Sequence, residues 1–255
     1  DETRAACHTM ANERAATQAL TAGEDVPEAL EVTRLDGGAS ETIVVTVVGS
    51  NDVPEVSHGS GTMTEDEDLD AASNLTTGGQ LAIDDPDAGE SQFDPTTLTF
   101  VSSSHGDGPL GTLEVAADGS WSYRVANDAV QWLSAGEELV QVWEVDSLDG
   151  TATSRITVTV VGTNDVPVIG GETTGAVVEA GGVENAEAGK PEVSGQLTIV
   201  DPDSGESSFR EPEAAALEGT YGTFTFDAET GAWSYTLDNE RAATQALTAG
   251  EEVTE

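Results

Sequence analysis

Carboxylates in this chain gather in short, turn-forming stretches. They stand as Glu65-Asp66-Glu67-Asp68, as Asp84-Asp85-Pro86-Asp87, as Asp146 with Asp149-Gly150, and in the pairs Asn51-Asp52 and Asn164-Asp165. Asp201-Pro202-Asp203 and Glu179 are later counterparts. Calcium takes six to eight oxygens from carboxylates, side-chain amides and backbone carbonyls, so these stretches offer the right donors. An Asp-x-Asp in a turn puts two carboxylates on one side, and Pro86 or Pro202 stiffens that turn. Turns converging at one end of a domain then complete a shell. The candidate ligands are Asn51, Asp52, Glu65, Asp66, Asp85, Asp87, Asp146, Asp149, Asn164, Asp165, Glu179, Asp201 and Asp203. Asp and Gly also favour turns for reasons unconnected with metal, so for a single cluster both readings stand open. Recurrence of Asp-Pro-Asp-x-Gly-Glu and Asn-Asp-Val-Pro favours metal at those two places. The EF-hand loop and the Gly-Asp nonapeptide repeat are absent. Val178-Glu179-Ala180-Gly181 stands where Thr64-Glu65-Asp66-Glu67 does, which leaves Glu179 alone.

Other reactive types give less. Ser102-Ser103-Ser104-His105-Gly106-Asp107 holds the residue types of a hydrolase triad, but a fold assembles triads from distant residues, and adjacency favours a solvated turn. His8, His58 and His105 do not recur at equivalent places. The single cysteine, Cys7, excludes an intramolecular disulfide framework. The chain is expected not to be an enzyme.

The elements that must position the carboxylates are strands. Apolar and polar residues alternate through Arg155–Val161 and Thr42–Val48, the two-residue period of a half-buried strand. Leu139–Val145 is another, with Leu139, Trp143 and Val145 on one face. Further strands are expected at Thr62–Glu65, Gln80–Ile83, Thr97–Val101, Leu110–Val115 and Ser120–Val125, with Trp121 and Tyr123 sharing a core face. About seven short strands punctuated by Gly, Asp, Asn and Pro indicate an all-β, Greek-key sandwich of immunoglobulin or cadherin type. Asn127–Ala135 is the exception: Asn127 can cap, Gly136 can end the segment, and one or two helical turns would bury Val130 and Leu133.

The pattern repeats. Asn12–Glu24 returns letter for letter as Asn239–Glu251, and more loosely from Asn127. Gly49–Pro54 matches Gly162–Pro167, and Asp85–Phe93 matches Asp201–Phe209. The unit of roughly 110 residues has the size of one independently cored domain. Residues 1–49 read as the end of a preceding repeat, with 1–11 degenerate. Residues 50–162 read as a complete repeat, and 163–255 as a second one lacking its last two strands. The whole is expected to be a piece of a longer array, and repetition selects for length or multivalency more than for one catalytic pocket.

Charge narrows the partners. Against 49 acidic residues stand 8 basic ones, a net charge of −41, and Lys190 is the only lysine. Nucleic acid needs Lys and Arg at its phosphates, so it is excluded as a partner. Direct membrane insertion is not expected either, since no apolar run is long enough. Self-repulsion at this charge disfavours the compact state unless cations bind. Calcium is therefore expected to stabilise each repeat and, through the linker Asn-Asp pairs, to stiffen the string of repeats.

Four landmarks together resemble the VCBS repeat of giant bacterial surface proteins. They are Gly-Thr-Leu-x-Val-x-x-Asp-Gly-Ser-Trp-Ser-Tyr from Gly111, Asn-x-x-Val-Gln-x-Leu-x-x-Gly-Glu from Asn127, Asp-Gly-Thr-Ala-Thr from Asp149 and Gly-Thr-Asn-Asp-Val-Pro from Gly162. The chain is also similar to the cadherin-like domain of bacterial Rap adhesins of the RTX type. That resemblance implies a calcium-associated β-sandwich in a very long secreted protein, often exported by a type I system and used in adhesion or biofilm formation. It implies calcium-linked roles for Asn51, Asp52, Asp85, Asp87, Asn164, Asp165, Asp201 and Asp203. Two roles follow: a stalk whose partners are neighbouring repeats, or a calcium-dependent module binding exopolysaccharide. Trp132 is the one tryptophan placed for stacking on a sugar.

Overall fold

The computed structural model describes residues 14–106, 108–181 and 183–255. The degenerate start, Cys7, His8 and Asp107 lie outside the described residues. Two compact units divide the chain, one ending at Gly162 but leaving out Gln131–Ala135, the other comprising Gln131–Ala135 and Thr163–Glu255. No helix among the described residues is long and apolar enough to cross a membrane.

The first unit opens with a short helix, α1 (Ala15–Gln18), and the hairpin β1 (Asp25–Thr33) and β2 (Ser40–Val48). There follow β3 (Glu55–Val56), β4 (Gly59–Thr64), β5 (Asn74–Gln80), β6 (Ile83–Asp84) and β7 (Thr99–Ser103). The unit closes with β8 (Thr112–Val115), β9 (Ser120–Ala126), β10 (Glu138–Asp146) and β11 (Thr153–Val161). Within residues 51–162 one sheet has the order β4-β11-β10-β7 and another β5-β9-β8, while β3 pairs with β6. All pairs are antiparallel except β4 with β11.

Alternation sets which face is buried. In β10 the buried residues are Leu139, Gln141, Trp143 and Val145; in β11 they are Ser154, Ile156, Val158 and Val160; in β9 they are Trp121, Tyr123 and Val125. The Tyr123 and Trp143 rings meet at 5.4 Å, joining the inner faces of the two sheets. The fold is an all-β sandwich, as the punctuated strand pattern indicates. The Tyr123 hydroxyl donates to Gln141 Oε1 at 3.1 Å, which satisfies a polar pair inside this core.

Two local expectations are corrected. Leu81 and Ala82 interrupt the strand expected at Gln80–Ile83: the Leu81 amide donates to the Gly119 carbonyl, and pairing resumes only at Ile83. The helical segment at Asn127–Ala135 shrinks to a single 3-10 turn, Asn127–Ala129, although Val130 and Leu133 are fully buried. Asn127 does not cap it. Its side chain is committed to Asp66, giving and receiving a hydrogen bond.

The second unit holds β12 (Val168–Gly171), β13 (Glu192–Val200), β14 (Gly222–Phe226), β15 (Ala232–Leu237) and α2 (Ala242–Gln245). Its strands form one antiparallel sheet of order β12-β13-β15-β14, with Tyr235 and Leu237 buried.

Candidate metal centre

Three elements within residues 51–162 bring carboxylates together. The first is the loop after β6. Asp85 Oδ1 accepts from the Asp87 amide at 3.0 Å, and the Asp85 amide donates to Ser91 Oγ at 3.0 Å. The Glu90 amide donates to the Asp87 carbonyl at 3.2 Å, and Gly89 adopts φ +86°, so the loop curls back. Asp85 and Asp87 are buried, at 7% and 1% exposure.

The second element is the linker. The Asp52 amide donates to Asp87 Oδ2 at 2.9 Å, and the Asn51 side-chain amide donates to Asp149 Oδ2 at 2.8 Å and to its neighbour's carbonyl at 2.7 Å. The third is the β10–β11 turn. Asp149 Oδ1 there accepts from Ser147 Oγ at 2.5 Å and from the Thr151 amide at 3.2 Å, and its other oxygen accepts from the Thr151 hydroxyl. Carboxylate oxygens of Asp85, Glu90 and Asp149 consequently lie within 4.8 Å of one another.

The electrostatics are unbalanced. Burial, outweighing the hydrogen bond from the Asp87 amide, pushes the Asp85 carboxyl above the ordinary carboxylate range, and the charges of Asp149, Asp87 and Asp52 add to this. Burial raises Glu90 too, with Asp87, Asp85 and Asp149 contributing. Asp149 moves the other way: burial is opposed and overcome by hydrogen bonds from Ser147, Thr151 and Asn51, which hold it well below that range. No ion pair among the described residues reaches this cluster. Asp85 Oδ2 and Asp87 Oδ1 are buried without a hydrogen-bond partner. An unpartnered buried carboxylate oxygen is costly. A hard divalent cation suits a donor set made only of oxygens and would supply the missing partner.

The turns do not all converge at one end. Glu65 is fully buried, and its amide donates to the Val161 carbonyl at 2.9 Å, at the finish of β11. Asp149 lies in the turn before β11 begins. A strand of nine residues separates them by about 26 Å. Glu65 and Asp66 thus belong to the opposite end of the sandwich, where Asp66 adopts φ +60° and is locked to Asn127. Asp146 joins neither set: its Oδ1 accepts from the Thr153 hydroxyl at 2.7 Å across the hairpin.

The second unit repeats the loop and linker. The Asp165 amide donates to Asp203 Oδ2 at 2.8 Å, the Asp203 amide to Asp201 Oδ1 at 3.1 Å, and the Asn164 side chain to the Asp165 carbonyl at 2.6 Å. Asp203 is 2% exposed, and its Oδ1 is again buried without a partner. Glu179 is half-buried, and the amide of Ala180 donates to Asn239 Oδ1 as that of Asp66 does to Asn127.

Glu90 is the cluster member absent from the sequence candidates. Its place in the recurring Asp-Pro-Asp-x-Gly-Glu, after a glycine suited to positive φ, was the available signal. The supports Ser147 and Thr151 carried no signal of their own. Trp132, the candidate for sugar stacking, is half-buried. In the Ser102–Asp107 stretch the Ser103 hydroxyl bonds to the backbone of His105, as in a loop turn.

None of the curated proteins compared matches the sequence. Solved structures with a similar chain path include the protocadherin gamma B2 extracellular cadherin domains 1–5, at 14% identity and a TM-score of 0.40. The protocadherin gamma B4 extracellular domain gives 14% and 0.36, and domains 4–9 of the surface layer protein SbsC give 14% and 0.28. The matches cover 84%, 84% and 85% of this chain in that order, and 45%, 36% and 31% of the others. This chain thus spans less than half the length of each. Residues 51–162 match the family model of the bacterial cadherin-like domain.

Proposed function

We propose that this chain is a calcium-stabilised structural repeat, a stalk or extender, of a large secreted bacterial surface protein that serves adhesion or biofilm formation. The observation that supports it most is the pair of unpartnered buried oxygens on Asp85 and Asp87, beside Glu90 and Asp149 and tied by hydrogen bonds to the linker residues Asn51 and Asp52. Asp85, Asp87, Glu90 and Asp149 would hold the ion. Bound there, calcium neutralises the cluster and fixes the linker to the body of its repeat. Asp201 and Asp203 with Asn164 and Asp165 offer a second such place. Glu65 and Asp66 offer donors at the far end.

Extracellular calcium modules bind at about 10⁻⁴–10⁻³ M. Ligand at ~100 times its dissociation constant adds about 2.7 kcal/mol, a large share of a domain's typical ~5–15 kcal/mol. A repeat that is firm only in calcium suits a protein that extends outside the cell. The VCBS and RTX resemblance and type I export belong to the same reading. Capture of polysaccharide is the alternative role; the half-buried position of Trp132 favours the structural one.

Calorimetric titration of calcium into the chain tests the site. Asp85→Asn together with Asp87→Asn is expected to remove at least one binding event or weaken it at least tenfold. An unchanged isotherm would place the ion elsewhere.

A further inference from the structure

Asp149 differs from its neighbours in the cluster. Asp85 keeps Oδ2, and Asp87 keeps Oδ1, buried and without a hydrogen-bond partner, each ready for a cation. Both oxygens of Asp149 are taken twice. Oδ1 accepts from the Ser147 hydroxyl at 2.5 Å and from the Thr151 amide at 3.2 Å. Oδ2 accepts from the Thr151 hydroxyl and from the Asn51 side-chain amide, the latter at 2.8 Å. A carboxylate offers about four lone-pair positions, so these donors use all that Asp149 has. Yet one of its oxygens lies within 4.8 Å of oxygens on Asp85 and Glu90.

One donor must leave before Asp149 can serve as a ligand. Ser147 and Thr151 stand two residues away, inside the same turn, where the Ala152 amide also donates to Ser147 Oγ at 3.0 Å. Those bonds are built into the β10–β11 connection. Asn51 reaches Asp149 from 98 residues away in the chain and is exposed. Its amide also donates to the Asp52 carbonyl at 2.7 Å, a bond within the linker that does not need Asp149. The Asp52 amide meanwhile holds Asp87 through Oδ2, the oxygen opposite the free one. The linker thus stays tied to the cluster when Asn51 lets go.

We infer that the Asn51 side-chain amide stands in for a cation in the ion-free repeat: it latches the linker to Asp149 Oδ2 and competes with calcium for that oxygen. An N–H donor and a metal ion make the same demand on a carboxylate lone pair, so one excludes the other. Asn51 therefore stabilises the ion-free form and sets a weaker calcium affinity than the carboxylates alone would give. It tunes the site without being a ligand. The bond itself stands on geometry, whereas the exchange rests on the calcium reading.

Thermal melting and calorimetric calcium titration of the 255-residue chain and its Asn51→Ala variant test this. In chelator, Asn51→Ala should melt about 2–6 °C below the parent. In an Asp149→Asn background the same change should cost clearly less, because the charged acceptor is gone. In saturating calcium Asn51→Ala should melt with the parent, since the bond is already released there. The same cycle requires the calcium dissociation constant of Asn51→Ala to fall about two- to tenfold. Asn51→Leu, which keeps the bulk and lacks the donor, should behave as Asn51→Ala does. Calcium binding that is unchanged or weaker in both variants would overturn the latch. So would chelator melts that match the parent's, or an equal cost in the two backgrounds. A parent that takes up no calcium would instead remove the calcium reading and the exchange with it.

Discussion

Asp85 accepts a hydrogen bond from the amide of Asp87 at one carboxylate oxygen and keeps the other buried with no partner. Burial, with the charges of Asp149, Asp87 and Asp52, lifts its pKa above the ordinary 3.8. The fold therefore favours its protonated form. That contribution to stability is complete below the unfolded value and is lost as pH rises through the higher folded one. Asp149 has the opposite sign: its lowered pKa gives stability above the ordinary value, which is lost only in stronger acid. In chelator, the melting temperature of the parent should therefore gain, relative to Asp85→Asn, as pH falls from neutral toward 3.8. At neutral pH without metal, Asp85→Asn should melt higher than the parent, and in calcium lower. Thermal melts of both proteins in both buffers check this, and identical pH slopes would show that Asp85 carries no such charge penalty. The acidic motifs that supply Asp85, Asp87 and Asp149 were plain in the sequence. The role of Glu90 was not, because it depends on a loop reversal through Gly89, and the partnership of Asn127 with Asp66 was hidden because the two residues are distant in the chain.

Strand alternation in Arg155–Val161 and Leu139–Val145 was legible because each strand buries one face, and the structure buries those same residues. The break at Leu81 and Ala82 was not legible, because it arises from a tertiary hydrogen bond to Gly119. That glycine sits in the turn before β9 at φ +83°, and a Cβ there would run into the Leu81 carbonyl oxygen. Gly231 repeats the arrangement at φ +73° against Leu197. Gly119→Ala is expected to cost about 1–3 kcal/mol, measured by denaturant unfolding in calcium, with no change in the metal dissociation constant at constant fold. A loss within about 0.5 kcal/mol, as for an ordinary surface substitution, would mean the turn relaxes freely. The separation of the acidic turns onto two ends of the sandwich is likewise a property of the folded element. Spacing in the chain could not reveal that β11 stands between Asp149 and Glu65.

Across the whole chain, −41 units of charge oppose compactness, and the acidic loops concentrate part of that charge in recurring places. Monovalent salt should raise the melting temperature in chelator, because a Debye length of about 8–10 Å near physiological ionic strength shortens further as salt is added. In saturating calcium the same salt series should have a smaller effect, since the ions neutralise the clusters at close range. Equal salt slopes in the two buffers would locate the repulsion outside these loops. The identity of Asn12–Glu24 with Asn239–Glu251 is visible in the sequence alone, whereas the exposure of Leu30, Ile43 and Val45 on β1–β2 emerged only with the structure. The most direct measurement for the account is thermal unfolding of this chain in excess calcium and in excess chelator at neutral pH. One site held at ~100 times its dissociation constant adds about 2.7 kcal/mol, which raises the midpoint by about 10 °C for a domain of this size. Superimposable melting curves in the two buffers would contradict calcium stabilisation.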